Sequence, residues 1–432
     1  MVRQELVELD KKHFLHPTSP IQQQQNFGPA FIFTKGEGVF LEDINGKRVL
    51  DGMSSLWNVN IGHGRKELGQ AAMEQMNKLA FSSCFATFSN EPAIRLAAKL
   101  AEVSPGNLST TFFTSGGSEA NDTAYKLARH YWILHGMPEK KKIITRKRSY
   151  HGVALGSTSA TGLKPFRDFT NSLAPDFYYT DNLSPQELRE TIESEDPETI
   201  AAFVAEPVQG AGGVHVAPDG YFQEVRKICD EYNILWITDE VITGFGRTGE
   251  YFGVDHYGVA PDMMCFAKGI TSGYAQLGGV MLSEAIFEEY KELSTGTLLH
   301  GYTYSGHPMA CAVGLRNLEI IEKEGLIENA ANMGAKMLDG FSWIEGESSI
   351  VSQVRALGLM GAIDIHAPQH IKGQLAPRIV NEAAKIGLIC RSVVFDGLDT
   401  LVFAPPLCIK KEEMELLIEM LHHAIFRVER TV

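Results

Sequence analysis

The stretch WITDEVITGFGRTG at residues 236–249, followed by PDMMCFAKGITSGY at residues 261–274, is the part of the sequence that decides the fold. Each half contains a short apolar run, which ends close to Asp239 in the first half and to Lys268 in the second. Short apolar runs bounded by Gly and Pro predict buried strands of a parallel sheet. In open α/β sheets, ligands bind at the carboxyl ends of such strands. We therefore expect Asp239 and Lys268 to lie at a ligand-binding edge.

A carboxylate and a lysine at one edge have a chemical interpretation and a structural one. A lysine in a desolvated pocket loses its proton and becomes a nucleophile, which can form a Schiff base with an aldehyde. Pyridoxal phosphate is an aldehyde cofactor that also requires a carboxylate to hold its ring nitrogen protonated. The alternative is an acid and a base that only satisfy each other within the fold. The two residues alone favour that alternative, so the flanking sequence has to decide.

Further motifs surround these two residues along nearly the whole chain. They are GEGVFLEDINGKRVLDG at 36–52, SSLWNVNIGHG at 54–64, TSGGSEAND at 114–122, SYHG at 149–152, AEPVQGAGG at 205–213 and GYTYSGHP at 301–308. Together with TDEVITGFGRTG and AKGITSGY, and in this order, they resemble the class III aminotransferases, which have fold type I among pyridoxal phosphate enzymes. The sequence is most similar to the pyruvate-dependent ω-transaminases of that family.

The resemblance implies an α/β fold with two domains. A large cofactor-binding domain over residues 61–325 is expected to contain a mainly parallel seven-stranded sheet. A smaller α/β domain is expected from the N-terminal segment 1–60 together with the C-terminal segment 326–432. Residues 31–52 by themselves predict a small antiparallel meander with a hairpin turn at Asn45-Gly46. The preceding Gln-rich run is interpreted as a surface connector.

A strand, a glycine turn and a helix follow one another from Thr110 onward. Free N–H groups and the helix dipole at such a helix start attract an anion, and a phosphate fits there. The alternative is an ordinary turn in which Ser118 caps the helix. The resemblance implies the phosphate site, with Gly117 and Ser118 as contacts.

The resemblance also implies roles for residues around the cofactor. Lys268 is the catalytic lysine, and Asp239 is the carboxylate at the ring nitrogen. Tyr150 stacks on the cofactor, Val241 packs on the opposite ring face, and both follow short strands. Thr303 contacts the phosphate from the neighbouring subunit, with Tyr302 close by. A homodimer or higher homo-oligomer with shared active sites is therefore expected.

Three further residues are expected at the substrate, in addition to Tyr150. Trp57 and Phe85 match family positions that face substrate, although either aromatic could simply pack in the protein interior. Arg391 matches the position that binds the substrate carboxylate, which a guanidinium holds bidentately; the alternative is a solvated strand arginine. Ala211 stands where members that use ornithine or 4-aminobutyrate have a glutamate, which argues against the ornithine type.

Two polar residues and one glycine motif need separate interpretation. His151 is expected to have a structural or supporting role, because Lys268 can serve as the base. Glu206, which closes a predicted strand, is either functional or holds the next loop.

GFGRTG at 244–249 has the GxGxxG spacing of a dinucleotide-binding site. The segment after it is rich in Gly, aromatic residues and Pro, whereas a dinucleotide-binding motif must open a helix. We therefore reject a nicotinamide enzyme.

Composition limits the possible partners and location. The formal net charge is −14 and no basic run is present, so nucleic acid and anionic membranes are not expected partners. The six cysteines are scattered without a CxxC pair, which indicates reduced core thiols and neither disulfides nor metal ligands. The charged N-terminal segment has no apolar signal core, and no apolar run is long enough to span a membrane. A cytoplasmic protein is expected.

The predicted function is a transaminase reaction in two halves. An ω-amino acid or amine donates its amino group to pyridoxal phosphate, and a keto acid, by resemblance pyruvate, accepts it. Other specificities within the family (taurine, a diamine or 7,8-diaminopelargonate) stay open, as does an intramolecular aminomutase. A binding or scaffold protein on an inactive fold is the non-enzymatic alternative, against which the complete set of site residues argues.

Overall fold

The computed structural model describes residues 2–181 and 183–432. Its strands, in chain order, are β1 Phe33–Glu37, β2 Phe40–Asp43, β3 Arg48–Asp51, β4 Leu108–Thr114, β5 Lys142–Arg146, β6 Phe177–Thr180, β7 Ile200–Ala205, β8 Val208–Gln209, β9 His215–Val216, β10 Leu235–Asp239, β11 Met263–Phe266, β12 Gly278–Ser283, β13 Val351–Leu357, β14 Met360–Ile365, β15 Leu388–Ile389, β16 Arg391–Val393 and β17 Thr400–Phe403.

The α-helices lie between and around these strands. They are α1 Val2–His13, α2 Ile21–Phe27, α3 Ser54–Trp57, α4 Lys66–Lys78, α5 Glu91–Val103, α6 Gly117–Leu134, α7 Leu155–Ala160, α8 Lys164–Asp168, α9 Pro185–Ser194, α10 Tyr221–Glu231, α11 Glu284–Leu293, α12 Pro308–Lys323, α13 Leu326–Glu347, α14 Leu375–Ile386 and α15 Lys411–Glu429. Of the helices that the structure describes, none combines the length and the apolar character that a membrane crossing requires.

The central sheet has seven strands in the order β4-β12-β11-β10-β7-β5-β6. Only β12 runs antiparallel to its neighbours; β6, β5, β7, β10 and β11 pair in parallel, and β4 points the same way as they do. The predicted α/β fold with a mainly parallel seven-stranded sheet is confirmed. Because these strands share a direction, β4, β7, β10 and β11 end at one edge, where Asp239 closes β10 and Lys268 follows β11.

Burial on both faces explains why the central strands are apolar throughout. Every residue of β7, β10 and β11 is buried. Helix α6 covers one face and presents alanines, among them Ala120, Ala124 and Ala128, to strand residues such as Ile237. Small side chains let the helix axis approach the sheet. Burial of each aliphatic side chain contributes roughly 1.5–3 kcal/mol to the stability of the fold. The strand ends that carry the polar residues are therefore part of a stable core.

Two smaller sheets join the two ends of the chain. The predicted meander is confirmed as β1, β2 and β3, and β15 extends its sheet, pairing in parallel with β3 through Leu388 and Leu50. The other sheet has the order β13-β14-β17-β16 and is packed by α13 and α14, which α15 contacts in turn. The N-terminal strands thus depend on the C-terminal segment, as the fold type implies. The domain boundaries at residues 60 and 325 stay a prediction.

The Gln-rich run is largely exposed, as expected for a surface segment, but it is helical and one of its glutamines is buried. It forms α2, and Gln24 is buried. The Gln24 amide donates to Asp10 Oδ1 at 3.1 Å and to the Phe14 carbonyl at 3.0 Å, so it fastens α2 to α1. A polar run of four glutamines has no apolar periodicity to announce a packed helix.

Arg247 gives the GFGRTG motif its role. The motif forms turns and opens no α-helix, as expected. The fully buried guanidinium of Arg247 donates to Asn60 Oδ1 at 2.7 Å, to Ser54 Oγ at 3.0 Å and to the Pro405 carbonyl at 2.5 Å. It therefore ties the loop after β10 to segments near both ends of the chain. No disulfide bond stabilises this junction, because all six cysteines are free.

We expect Arg247→Ala to destabilise the protein by roughly 3 kcal/mol or more, because several buried acceptors lose a charged donor at once. Thermal unfolding of this variant and of a control variant measures the loss of stability. The matched control is Arg430→Ala, an exposed arginine next to the end of α15, where a change within about 0.5 kcal/mol is expected. Equal melting temperatures for the two variants would contradict the role assigned to Arg247.

Candidate active site

Lys268 and Asp239 lie at the ends of the neighbouring strands β11 and β10. Asp239 is only 3% exposed, and Lys268 is half-buried. Burial lowers the pKa of the Lys268 ammonium below its ordinary value, while the Asp239 and Glu206 carboxylates oppose that shift. Lys268 has φ +44°, a left-handed conformation that is strained for a residue with a side chain. Within the part of the chain that the structure describes, no side chain hydrogen-bonds its amine, which is therefore available for chemistry.

The Asp239 carboxylate is fixed by three donors. Its Oδ2 accepts from Asn121 Nδ2 at 2.8 Å and lies 2.7 Å from His151 Nδ1, and its Oδ1 accepts from the Val241 N–H at 3.0 Å. The other ring nitrogen of His151 lies 3.2 Å from Thr145 Oγ1, which orients the imidazole. Donors of this kind stabilise an ionised carboxylate in a buried site. These three donors fix the position of the Asp239 carboxylate at the carboxyl end of β10.

Glu206 follows β7 and holds two loops at the same edge. Its Oε1 accepts from the Tyr150 N–H at 3.0 Å, and its Oε2 accepts from the Gly210 N–H at 3.2 Å. Burial raises the pKa of Glu206 to about 7, a shift that the His151 charge opposes and the Asp239 charge reinforces. The sequence left Glu206 as either a functional residue or one that holds the next loop. The structure shows that it holds loops.

The turn after β4 leads into the N-terminus of α6 at the same edge. Gly116 is the N-cap and provides no side-chain cap, so first-turn N–H groups are free. Ser118 is not the cap; its Oγ accepts from the Val153 N–H at 3.1 Å, in the loop that follows Tyr150. Gly117 lies against Val241, where an added Cβ would be 2.7 Å from Val241 Cγ1. Position 117 therefore requires glycine because Val241 fills the space of a side chain, and the helix start directs its N–H groups toward an anion.

Tyr150 and Arg391 border the entrance to this edge. The Tyr150 ring contacts Phe166 edge-on with centroids 5.2 Å apart, and Phe166 contacts Phe395 at 5.9 Å. Burial raises the pKa of Tyr150, and the positive charge of Arg391 opposes that rise. Arg391 opens β16 and is exposed, so its guanidinium is accessible to an anionic ligand.

Three predicted residues are not gathered at this edge on the same chain. Phe85 is 49% exposed and lies against Gly301, where an added Cβ would be 2.8 Å from its ring. Thr303 is exposed, and the neighbouring Tyr302 donates its hydroxyl to the Glu119 carbonyl of α6 at 3.4 Å. Trp57 is 5% exposed and packs in an apolar cluster with Ile242, which follows β10, and with residues of the sheet β13-β14-β17-β16. Its packing role is evident, whereas its role toward substrate stays a prediction.

Asn121 is the site residue that sequence reasoning missed. It stands four residues after Gly117, one turn into α6, so both face the same side of that helix. This spacing was the available signal. Its amide also donates to the His151 carbonyl at 3.0 Å and to the Gly117 carbonyl at 3.3 Å. Asn121 therefore links the anion turn, the His151 loop and Asp239.

Comparison with known proteins identifies the family of this chain. Residues 21–425 match the family model of aminotransferase class-III. A putrescine–pyruvate aminotransferase from Pseudomonas aeruginosa is 38% identical, over 95% of this chain and 94% of its own length. A transaminase from the marine bacterium Virgibacillus has a crystal structure with TM-score 0.97, 50% identity and 99% of each chain covered. For an (S)-enantioselective ω-transaminase from Thermomicrobium roseum the TM-score is 0.94, with 46% identity and 98% of each chain covered. The protein belongs to the class-III aminotransferases.

Proposed function

We propose that this aminotransferase uses pyridoxal 5'-phosphate to move an amino group from an amine or ω-amino acid to pyruvate. The observation that carries the proposal is the fixed pair at one sheet edge. One member is a half-buried lysine whose pKa burial lowers, and the other is a carboxylate held by three donors. A base and a fixed anion at adjacent strand ends are what this cofactor requires of a protein.

The residues at the edge fit the cofactor in size and charge. The N–H groups at Gly117 and Ser118 would hold its phosphate, and glycine at 117 lets Val241 pack directly against this turn. Asp239 would hold the ring nitrogen, between Val241 and Tyr150 on the two ring faces. When bound, the cofactor supplies an electron sink for the carbon that loses a proton.

The chain's own groups then supply binding and proton transfer. Lys268 Nζ, whose pKa burial lowers, would accept the proton from the donor carbon and later return it. Asp239, which accepts from Asn121, His151 and Val241, would hold a proton at the ring nitrogen of the bound cofactor. Arg391 binds the carboxylate of the keto acid as a bidentate fork.

The donor and acceptor classes rest on the relatives. The Pseudomonas aeruginosa relative acts on putrescine and pyruvate, and the Thermomicrobium roseum protein is an ω-transaminase. Incubation with ¹⁵N-labelled putrescine, β-alanine or 1-phenylethylamine and either pyruvate or 2-oxoglutarate tests the proposal. We expect labelled alanine with at least one donor. Labelled glutamate alone would contradict the acceptor, and a rearranged donor without keto acid consumption would identify an aminomutase.

Gly117→Ala is expected to weaken retention of pyridoxal phosphate roughly 10- to 100-fold. The new methyl group would lie 2.7 Å from Val241 and displace either the turn or Val241, at about 1–3 kcal/mol. Gly116→Ala is the matched control, because Gly116 has extended backbone and an added Cβ meets no atom within 4 Å. Cofactor dissociation followed by fluorescence compares the two. Similar dissociation constants for both variants would contradict the placement of the phosphate.

We also propose a homodimer in which each site takes residues from both chains. An open apolar groove with a volume of about 740 Å³ lies beside Phe85, and Leu299 on its rim is 93% exposed. An exposed apolar surface of this kind marks an interaction site. Analytical ultracentrifugation should give a mass of two 47.6 kDa chains. A monomer with full activity would refute shared sites. The cytoplasmic location stays a prediction from the sequence.

A further inference from the structure

A basic recess lies beside β5 and β6, on the opposite lateral side of the central sheet from the apolar groove. It has a volume of about 670 Å³ and is lined by Lys147, Arg148, Lys164 and Arg167, together with Gly162, Tyr179 and Asp181. The lining residues follow β5 and β6, whereas the groove lies beside β4 at the other end of the strand order. A second copy seated on the groove would therefore leave the recess accessible.

The recess has an excess of positive charge in a chain whose formal net charge is −14. Lys147 pairs with Asp181 and Lys164 pairs with Asp168, which leaves two of the four cations uncompensated. In the described ranges, 2–181 and 183–432, Arg148 has no ion-pair partner. The positive charge also affects nearby His215. Burial lowers the pKa of His215 to about 4, and the charges of Arg355 and Arg148 lower it further.

The Arg167 side chain and the Arg148 backbone are both held by contacts within the chain. The Arg167 guanidinium lies over the Tyr179 ring, 4.1 Å from its centroid, and donates to the Thr161 carbonyl at 2.9 Å. Arg148 has φ +63°, and the backbone around it is closely packed; an added Cβ at Gly212 would lie 2.2 Å from the Arg148 carbonyl oxygen. Such strain persists only where the surroundings enforce it, and it is common at functional sites.

The short helix α8 connects the recess to the active site. Lys164 and Arg167 of α8 line the recess, while Phe166 of the same helix contacts Tyr150. Tyr150 also stands two residues after Arg148. A ligand that draws Lys164 and Arg167 together would therefore shift Phe166 against the ring that borders the substrate.

We propose that this recess binds a small molecule carrying a phosphate or pyrophosphate group, and that its occupancy alters the KM for the amine donor through α8. Two guanidinium forks and two ammonium groups match the oxygens and the charge of such a group. The two uncompensated cations are neutralised by a dianion, whereas a monocarboxylate neutralises only one.

Calorimetric titration of the holoenzyme with inorganic pyrophosphate, at constant ionic strength, tests the site. We expect saturable binding at one site per chain, weakened at least about tenfold in the double variant Arg148→Gln/Lys164→Gln. The control Lys336→Gln removes one exposed charge on α13 and should leave the affinity unchanged. The single variant Lys164→Gln, at an exposed position, provides a second comparison if the double variant unfolds.

Donor kinetics with and without saturating pyrophosphate test the connection to the active site. We expect the donor KM to change at least about twofold in the wild type and not in the double variant, because only the wild type positions α8 through the anion. The absence of saturable binding, or equal binding by the double variant, would overturn the proposal. Binding with an unchanged KM would overturn the coupling.

Discussion

We expect Lys268→Ala to lower kcat by about 10⁴-fold or more, because the variant loses the nucleophile and the base together. Lys268 has an amine that no described side chain hydrogen-bonds, in a position that burial makes unfavourable for its charge. Removing it therefore takes away no hydrogen bond that stabilises the fold. Burial of its amine costs stability, and alanine retains the same φ of +44°, so the melting temperature of the variant should be equal or higher.

Steady-state turnover with the best donor and pyruvate measures the loss, and thermal unfolding measures stability. Lys336→Ala, on the exposed face of α13, is the matched control and should retain wild-type turnover. A Lys268→Ala enzyme within tenfold of the wild type would contradict the assignment of Lys268 as the base.

Asp239→Asn is expected to lower turnover by roughly 10²–10³-fold, the range seen when one fixed electrostatic partner of a transition state is removed. The amide has the same shape but no charge, so it cannot keep a proton at the ring nitrogen. It also offers one acceptor where Asn121, His151 and Val241 need acceptors on both oxygens. One buried N–H therefore loses its partner, which costs about 1–3 kcal/mol of stability.

The Asp239→Asn variant should still fold, and circular dichroism checks this before kinetics. Asp339→Asn, an exposed aspartate of α13, is the control for loss of one negative charge. Turnover within a few-fold of the wild type in Asp239→Asn would mean that another group protonates the ring nitrogen.

The strands at the active edge could be predicted because their sequence signal is local. β10 and β11 are short runs of buried apolar residues that end at Asp239 and before Lys268. Periodicity and flanking turns are sufficient to find such elements. The number of strands and their mainly parallel direction came from the family resemblance. Their order came only from the structure, since pairing joins residues such as Met263 and Leu282 across a segment whose path composition does not specify.

Contacts between distant segments were the part that sequence reasoning could not provide. Arg247 looked like a motif residue, yet it binds acceptors at Ser54, Asn60 and Pro405, whose proximity exists only in the folded chain. Asn121 was identified only after folding placed it beside Asp239. Phe85 and Thr303 are exposed in the single chain, so their roles at the site stay predictions from the family resemblance.

The most direct test of the account is the absorbance of the holoenzyme during one cycle. The visible band of the bound cofactor should disappear on addition of a donor amine without keto acid, and it should return on addition of pyruvate. This result would show that the protein itself carries the amino group between two substrates. A band that stays unchanged with every amine, or that fails to return with pyruvate, would contradict the proposed reaction.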